Sequence, residues 1–344
     1  MLYFFAPDFT PKRNLLFILG AFTILFLIYR SIINNYLKTQ KRINLVLIGN
    51  SKIEEKVKNF LLNNKQYNYH IKYHFPSFEE NISQIKNLII QENIDLVVYT
   101  KDVKEVNKML FPFINKKIES IDLATFYMDV FKKIPLEEID EEWILNHFEQ
   151  KEFYEALKRC FDIFIGILFF LTFILTFPLV ALLIKLESKG PVIYKQKRSG
   201  KDQKQFSMYK YRTMYQGSDL ISPFTTKKDT RITKIGKILR KIHIDEVPQA
   251  INLLKGEVSL VGPRPEVTSI DYQACDQIDY YIVKHKIRPG ITGWAQTHFG
   301  YTDKIEEYKE KFEYDLYYLI NRSFALDVLI ILQTIRAPFE TKTY

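Results

Sequence analysis

Cysteine is scarce in this sequence: Cys160 and Cys275 are the only two among 344 residues, and they form no CxxC. Neither a disulfide framework nor a thiolate metal site is indicated, and a reducing, cytosolic environment fits. A secretory signal with a small-residue cleavage site is absent, and so are internal repeats and low-complexity tracts. The glycine-rich dinucleotide fingerprint is missing too. "GNSKIEE", from residue 49, supplies one glycine, then Lys52 and two glutamates, where a pyrophosphate needs close backbone approach. Acidic residues are sparse in one region: residues 185–240 carry fifteen Lys or Arg against four Asp or Glu, in a chain of net charge +9. Such a segment suits phosphate, whether of nucleic acid, anionic lipid or a nucleotide, unless it is simply a solvated basic loop. What is abundant is apolar: 47% hydrophobic and 15% aromatic residues exclude a disordered chain, and the length allows two domains.

Two apolar runs differ in character. "NLLFILGAFTILFLIYRSII", residues 14–33, ends in Tyr29 and Arg30, with Lys38, Lys41 and Arg42 beyond. It reads as a membrane-spanning helix with a cytoplasmic C-terminal end, the alternative being a buried core helix. "FDIFIGILFFLTFILTFPLVALLI", residues 161–184, is flanked by Lys158 and Arg159 on one side and by Lys185, Lys189, Lys195, Lys197 and Arg198 on the other. Both ends therefore prefer the cytoplasmic side. Pro178 lies inside the run, where it removes a helix hydrogen bond and forces a kink. A re-entrant helix that bends at Pro178, with the Thr176 hydroxyl helping the broken backbone, reconciles both facts, with a simple span as the alternative.

Between these runs, strand-like segments ("INLVLIGNS", "YHIKYHF", "IDLVVYT", "IESIDLATFYMDVF") alternate with helical ones, one of which ends at Pro112. Alternation implies a parallel, Rossmann-like sheet. A regulatory or oligomerising module fits it better than a cofactor domain. The expected organisation is a transmembrane segment and flanks over 1–40, a Rossmann-like domain over 41–150, and a mixed α/β membrane-associated domain over 151–344. In the last, "RITKIGKILRK" reads as a basic amphipathic helix and "FALDVLIILQTI" as a further apolar one.

The stretch "HIDEVPQ", residues 243–249, sets Asp245 beside Glu246 just before a proline. Pro248 suits the first position of a helix, "PQAINLLK", that Gly256 would end. The helix N-terminus and Arg240 would keep a carboxylate ionised, and adjacent carboxylates attract Mg²⁺. Alone, the pair could be mere helix-start decoration. The surroundings change that. Lys210 and Arg212 lie in the basic stretch "QFSMYKYRTM", Arg264 stands between two prolines in "VGPRPE", and "IRPGITGWAQ" offers Arg288, Trp294 and Gln296 in a turn-rich segment. Guanidinium forks suit phosphate, and an indole stacks on a base or packs a core.

At these residues the chain resembles the bacterial sugar transferases, monotopic polyprenyl-phosphate phosphoglycosyl transferases. The matching stretches are "ESKGPVIYKQKRSGKDQKQFSMYKYRTM", "DTRITKIGKILRKIHIDEVPQAINLLKGEVSLVGPRPE", "IRPGITGWAQ" and "EYDLYYLINRSFALDVLIILQTI", in the family's order over residues 158–335. The resemblance implies transfer of a sugar-1-phosphate from a nucleoside diphosphate sugar, a UDP-sugar, to polyprenyl phosphate (undecaprenyl phosphate), with release of the nucleoside monophosphate and initiation of a surface polysaccharide or glycoconjugate. It implies a re-entrant helix, Mg²⁺, and a covalent step in which Asp245 is the nucleophile and Glu246 its base or metal-positioning partner. Arg240 matches a phosphate-binding arginine. The bacterial inner (cytoplasmic) membrane, with the catalytic domain on its cytoplasmic face, is the implied location. The partners are the two substrates and the bilayer, without nucleic acid, and homo-oligomerisation is left open. The N-terminal part resembles longer members with several helices before the Rossmann-like domain. One clear candidate here means a shorter form or an incomplete start. The family often has Ser-Pro at the re-entrant break, where this chain has Phe177 and Pro178. The alternative reading is a non-catalytic membrane scaffold or regulator derived from such a transferase.

Overall fold

The computed structural model describes residues 20–32, 42–101, 105–116, 118–218, 229–299 and 305–336. The chain divides into two compact units, the first ending at Leu123 and the second beginning at Ala124. Of the run at residues 14–33, the described part is α1 (Gly20–Ile32), an apolar helix with exposed side chains. The rest of that run, and Lys38 and Lys41, lie outside the described residues.

The first unit holds a parallel sheet of β1 (Ile43–Ile48), β2 (Tyr69–Phe75), β3 (Leu96–Tyr99) and β4 (Glu119–Asp122), in the order β2-β1-β3-β4. Central strand β1 is a run of β-branched and Leu residues buried from Leu45 to Ile48, as a strand covered on both faces must be. Connections run through α2 (Lys52–Asn63), α3 (Ile82–Gln91) and α4 (Val106–Leu110). Ile85 and Ile89, one turn apart on α3, join Val46, Ile48 and Val97 in the core. The helix expected to stop at Pro112 ends at Leu110, and a 3₁₀ turn carries the chain through the proline. At Gly49 (φ +141°) an added Cβ would lie 2.3 Å from the Thr100 side chain, so the close approach of the two strand ends demands glycine. Downstream, Ser51 and Glu54 form a reciprocal capping box at the start of α2, and His74 pairs with Glu54. These groups already satisfy donors at the helix end where a dinucleotide's phosphates would bind.

The second unit starts with α5 (Leu123–Phe131), a helix where the sequence suggested strand and turn, and α6 (Glu141–His147). Met128, Ile134, Ile139 and Trp143 share one core with Phe312, Leu316 and Leu319 of the later helix α12 (Ile305–Asn321). Residues 124–150 therefore pack with the C-terminal unit, ahead of the boundary at 150 drawn from composition. Apolar side chains facing α12 decide their affiliation, and no linker-like composition marks the change.

Helix α7 (Glu152–Glu187) runs uninterrupted for 36 residues, about 54 Å at 1.5 Å per residue. It passes through Pro178 without a break in the assigned helix. The Thr176 hydroxyl donates to the Thr172 carbonyl at 2.8 Å, so it does not serve Ile174, whose carbonyl loses its donor to the proline ring. Between Phe164 and Leu186 eleven large apolar side chains are exposed, Leu175 by 82%. Each would gain roughly 1.5–3 kcal/mol on leaving water, so in water the row costs on the order of 10 kcal/mol, comparable to a whole domain's stability. A membrane removes that cost, and the protein is membrane-associated.

Both ends of α7 are tied to the second unit. After α7 come the antiparallel pair β5 (Ile193–Ser199) and β6 (Gln205–Tyr211), α8 (Lys234–Lys241), α9 (Ala250–Lys255), β7 (Ser259–Val261), α10 (Thr268–Gln277), β8 (Gly290–Thr292) parallel to β7, α11 (Trp294–His298), α12 and α13 (Phe324–Arg336). Near the start of α7, Arg159 donates to the Leu253 and Leu254 carbonyls, each at 2.7 Å, and Asp162 accepts from the Leu260 N–H at 2.9 Å and Ser259 at 3.1 Å. Lys158 and Tyr154 reach Asp327 on α13 at 2.5 and 2.8 Å. Near its end, Val180 and Ile184 pack with Tyr211 and Leu239.

Candidate active site

The acidic pair lies on a 3₁₀ turn, Ile244–Gln249, entered through His243 in a left-handed conformation (φ 57°). Pro248 sits within that turn, and α9 begins two residues after it; Gly256 (φ +76°) ends α9 as expected. Asp245 is buried, yet its carboxylate accepts no hydrogen bond among the described residues. Burial, and next the negative charge of Glu246, raise its pKa above the ordinary aspartate value, against the pull of Lys210 and Arg240.

Glu246 is different. Lys210, carried on β6, donates to its Oε1 at 2.6 Å. Burial would raise the pKa of Glu246, but the Lys210 ammonium and then the Arg264 guanidinium outweigh it and hold the carboxyl at about 2. Lys210 is itself lowered by burial, partly offset by Glu246. The bridge's net worth is therefore well below what the glutamate alone suggests. Sequence reasoning expected an ionised carboxylate at this point; the environment pushes the two neighbours apart, with Glu246 the firmly charged one.

Arg240 is half-buried on α8, with Nε 2.8 Å from the Thr213 hydroxyl, and its charge acts on Asp245. Arg264 is half-buried, acts on Glu246 and Lys210, and makes no hydrogen bond or ion pair among the described residues. Arg288 is likewise half-buried and unpaired among the described residues. The loops bearing these two arginines are welded backbone to backbone: Gly290 N–H donates to the Pro263 carbonyl at 2.8 Å, and a Cβ on Gly290 would sit 2.1 Å from Gly262 N. Glycine is obligatory at such an approach.

Three residues grouped with these by sequence hold the protein together instead. Arg212 is buried and donates to the carbonyls of Lys189 (2.7 Å) and Ser188 (2.8 Å), closing the end of α7. Trp294 is buried; its indole N–H donates to the Lys132 carbonyl at 2.8 Å, and His298 and Tyr317 lie against the ring. It packs the core rather than offering a face to a base. Gln296 donates to the Ile291 carbonyl at 3.1 Å, while its own buried side-chain oxygen has no partner among the described residues. Pro178 lies within α7.

Other supporting groups escaped sequence reading. Arg198 donates to the Pro265 carbonyl at 2.8 Å and steadies the Arg264 loop from β5. Glu266 is held at about 2, against its burial, by Lys311 and Lys284. A trace of this was legible: Lys311 and Asp315 sit one turn apart on the buried face of α12, beside Phe312. A small recess is lined by Pro263, Pro265, Glu266, Asp271, Lys284 and His285, among others; neither Asp245 nor Glu246 lines it.

Two adjacent carboxylates, one of them free of hydrogen bonds among the described residues, offer the hard oxygen ligands that Mg²⁺ prefers. The Arg264 guanidinium, whose charge acts on Glu246, offers a forked donor for phosphate.

Residues 153–341 match the family model described as bacterial sugar transferase. The UDP-N-acetylgalactosamine-undecaprenyl-phosphate N-acetylgalactosaminephosphotransferase of Aeromonas hydrophila is 44% identical over 184 residues, 53% of this chain and 44% of that protein. The UDP-glucose:undecaprenyl-phosphate glucose-1-phosphate transferase of Escherichia coli (strain K12) is 39% identical over 189 residues, 54% of this chain and 41% of that protein. The exopolysaccharide production protein PSS of Rhizobium leguminosarum bv. phaseoli is 40% identical over 187 residues, 52% of this chain and 94% of that protein. The match spans less than half the length of the first two relatives.

Proposed function

Because the chain belongs to the bacterial sugar transferase family, we propose that it transfers a sugar-1-phosphate from a UDP-sugar to undecaprenyl phosphate, releases UMP, and thereby starts a surface polysaccharide or glycoconjugate. The observation that carries this reading is a carboxylate pair, Asp245 buried and Glu246 half-buried, under the charges of Lys210, Arg240 and Arg264, on a unit that also bears an exposed apolar helix. The relatives' names supply the substrate classes.

In the first step an Asp245 oxygen attacks the β-phosphorus, the bond to the bridging oxygen breaks, and its electron pair leaves with UMP. In the second, an oxygen of undecaprenyl phosphate attacks the same phosphorus and the Asp245 carboxylate is released. Two steps let the soluble nucleotide depart before the lipid arrives. Arg264 and Arg288, unpaired among the described residues, offset the diphosphate charge, and Arg240 supports the ionised form of Asp245. Glu246, at about 2, is a poor proton acceptor at neutral pH, which favours charge and metal positioning over general-base catalysis. Asp245 and Glu246 would hold Mg²⁺, which when bound supplies charge neutralisation at phosphate oxygens.

The attachment of both ends of α7 to one compact unit supports a helix that dips into one leaflet and returns. Its basic flanks support the cytoplasmic face of the inner membrane. The β2-β1-β3-β4 order with intervening helices supports a Rossmann-like first domain.

The test is UMP release by the full chain in nanodiscs, with Mg²⁺, undecaprenyl phosphate and a panel of UDP-sugars. One sugar should be turned over, and Asp245→Asn should lose turnover at least ~10³-fold together with covalent labelling by donor. Full activity in Asp245→Asn removes the covalent step. No UMP from any sugar turns the reading to the non-catalytic scaffold.

A further inference from the structure

Away from the acidic pair, α10 and the turn after it bring together three unlike ligands. Asp271 and Cys275 are four residues apart, hence on one face of α10. His285 comes from the 3₁₀ turn Tyr281–Lys286. One ligand atom from each lies within 4.8 Å of the other two. Asp271 is completely buried, and among the described residues neither of its carboxylate oxygens has a hydrogen-bond donor. His285 is buried, and its Nε2, 3.2 Å from Asp271 Oδ2, makes no hydrogen bond either. A buried carboxylate without donors is a costly exception in a folded protein. Lys284, on the same turn as His285, is committed elsewhere: to Tyr281 at 3.0 Å and Asp315 at 3.6 Å.

We propose that Asp271, Cys275 and His285 bind a zinc ion that ties α10 to the turn before Arg288. The donor set of one oxygen, one nitrogen and one sulfur suits Zn²⁺ and is too soft for Mg²⁺ or Ca²⁺. A single ion satisfies the orphaned Asp271 oxygen and His285 Nε2 together. Cys275 enters as thiolate and its proton passes to solvent. Three protein ligands would leave a fourth position for water, and the Gln203 amide donates to the Cys275 sulfur at 3.9 Å. The recess lined by Ser199, Asp271 and His285 gives access. The consequence is mechanical: α10 follows the Arg264 loop and the His285 turn leads into Arg288, so the ion would brace both arginine loops. The assignment stands on this geometry whatever the reaction.

The experiment uses the full chain, without a polyhistidine tag, in a Cys160→Ser background so that Cys275 is the one thiol. Plasma mass spectrometry should find about one zinc per chain. Added Zn²⁺ should slow alkylation of Cys275 in chelator-stripped protein by about tenfold or more. Cys275→Ala and His285→Gln should lose the metal, Asp271→Asn should bind it at least about tenfold more weakly, and Asp245→Asn should keep it. Circular dichroism checks folding, and protection of unmodified Cys275 needs no ligand variant. Substoichiometric zinc after growth in zinc-supplemented medium, with an alkylation rate indifferent to Zn²⁺, overturns the assignment. Because the readouts are metal content and thiol reactivity, failure here is distinct from failure of the transferase reading.

Discussion

Replacing Lys210 by methionine isolates the electrostatics of the acidic pair. Glu246 sits at about 2 rather than 4.5, a preference for its charged form of ~3 kcal/mol at 1.36 kcal/mol per tenfold. Lys210 shares that effect with Arg264, and the side chains are 22% and 29% exposed, so screening reduces the lysine's part to ~1 kcal/mol. Removing the lysine also removes its own burial cost, which leaves a small net change at pH 7. The pH dependence is the sharper readout. A carboxylate with a depressed folded pKa contributes stability above its unfolded value near 4.5, and loses it as pH falls toward 2. Unfolding of wild type and Lys210→Met, followed by denaturant from pH 7 to pH 2.5, should therefore show wild type losing ~1 kcal/mol more than the variant below pH 4.5. Lys210 also opposes the raised pKa of Asp245, so the acid limb of UMP release should move to higher pH in the variant. Parallel stability curves at all pH values would refute the claim that this ion pair holds Glu246 charged.

Asp162→Ala should cost about 3 kcal/mol by removing a buried carboxylate that accepts from Ser259 and Leu260; thermal unfolding in nanodiscs measures it. Trp294→Phe should lose ~1 kcal/mol of stability with the bond to Lys132 and leave KM for the nucleotide sugar unchanged. A raised KM would show that the indole meets substrate after all. Gly290→Ala places a methyl 2.1 Å from Gly262 N and should reduce UMP release by about tenfold or more through displacement of the arginine loops, with α7 still inserted. Cysteines at Lys151 and Lys189, either side of α7, should be equally accessible to an impermeant reagent added from the cytoplasmic face; opposite accessibility would mean a simple span.

Some of this was legible before any coordinates. An apolar run with cations at both ends, a proline inside it, and a carboxylate pair amid arginines are local patterns, and local chemistry survives in a string of letters. Strand and helix alternation in the first unit was equally plain, since buried β-branched runs such as Ile43–Ile48 have few other uses. What could not be read was the partner of each charge. Lys210 on β6 and Arg212 just past its end are two residues apart, yet one meets Glu246 and the other closes α7, because what faces each is set 36 and 24 residues away in the chain. Trp294 looked as suited to a base as to a core until Lys132 was found under its N–H.

By itself, then, the sequence determined an α/β first unit, a membrane-seeking helix and an acidic pair set in a basic, arginine-bearing region, because these depend on composition and short-range order. Tertiary structure alone decided that residues 124–150 pack on α12, that Glu246 rather than Asp245 is the securely ionised acid, and that Asp271, Cys275 and His285 converge. Each of these rests on burial and on charges brought close from distant segments, and neither quantity exists until the chain has folded.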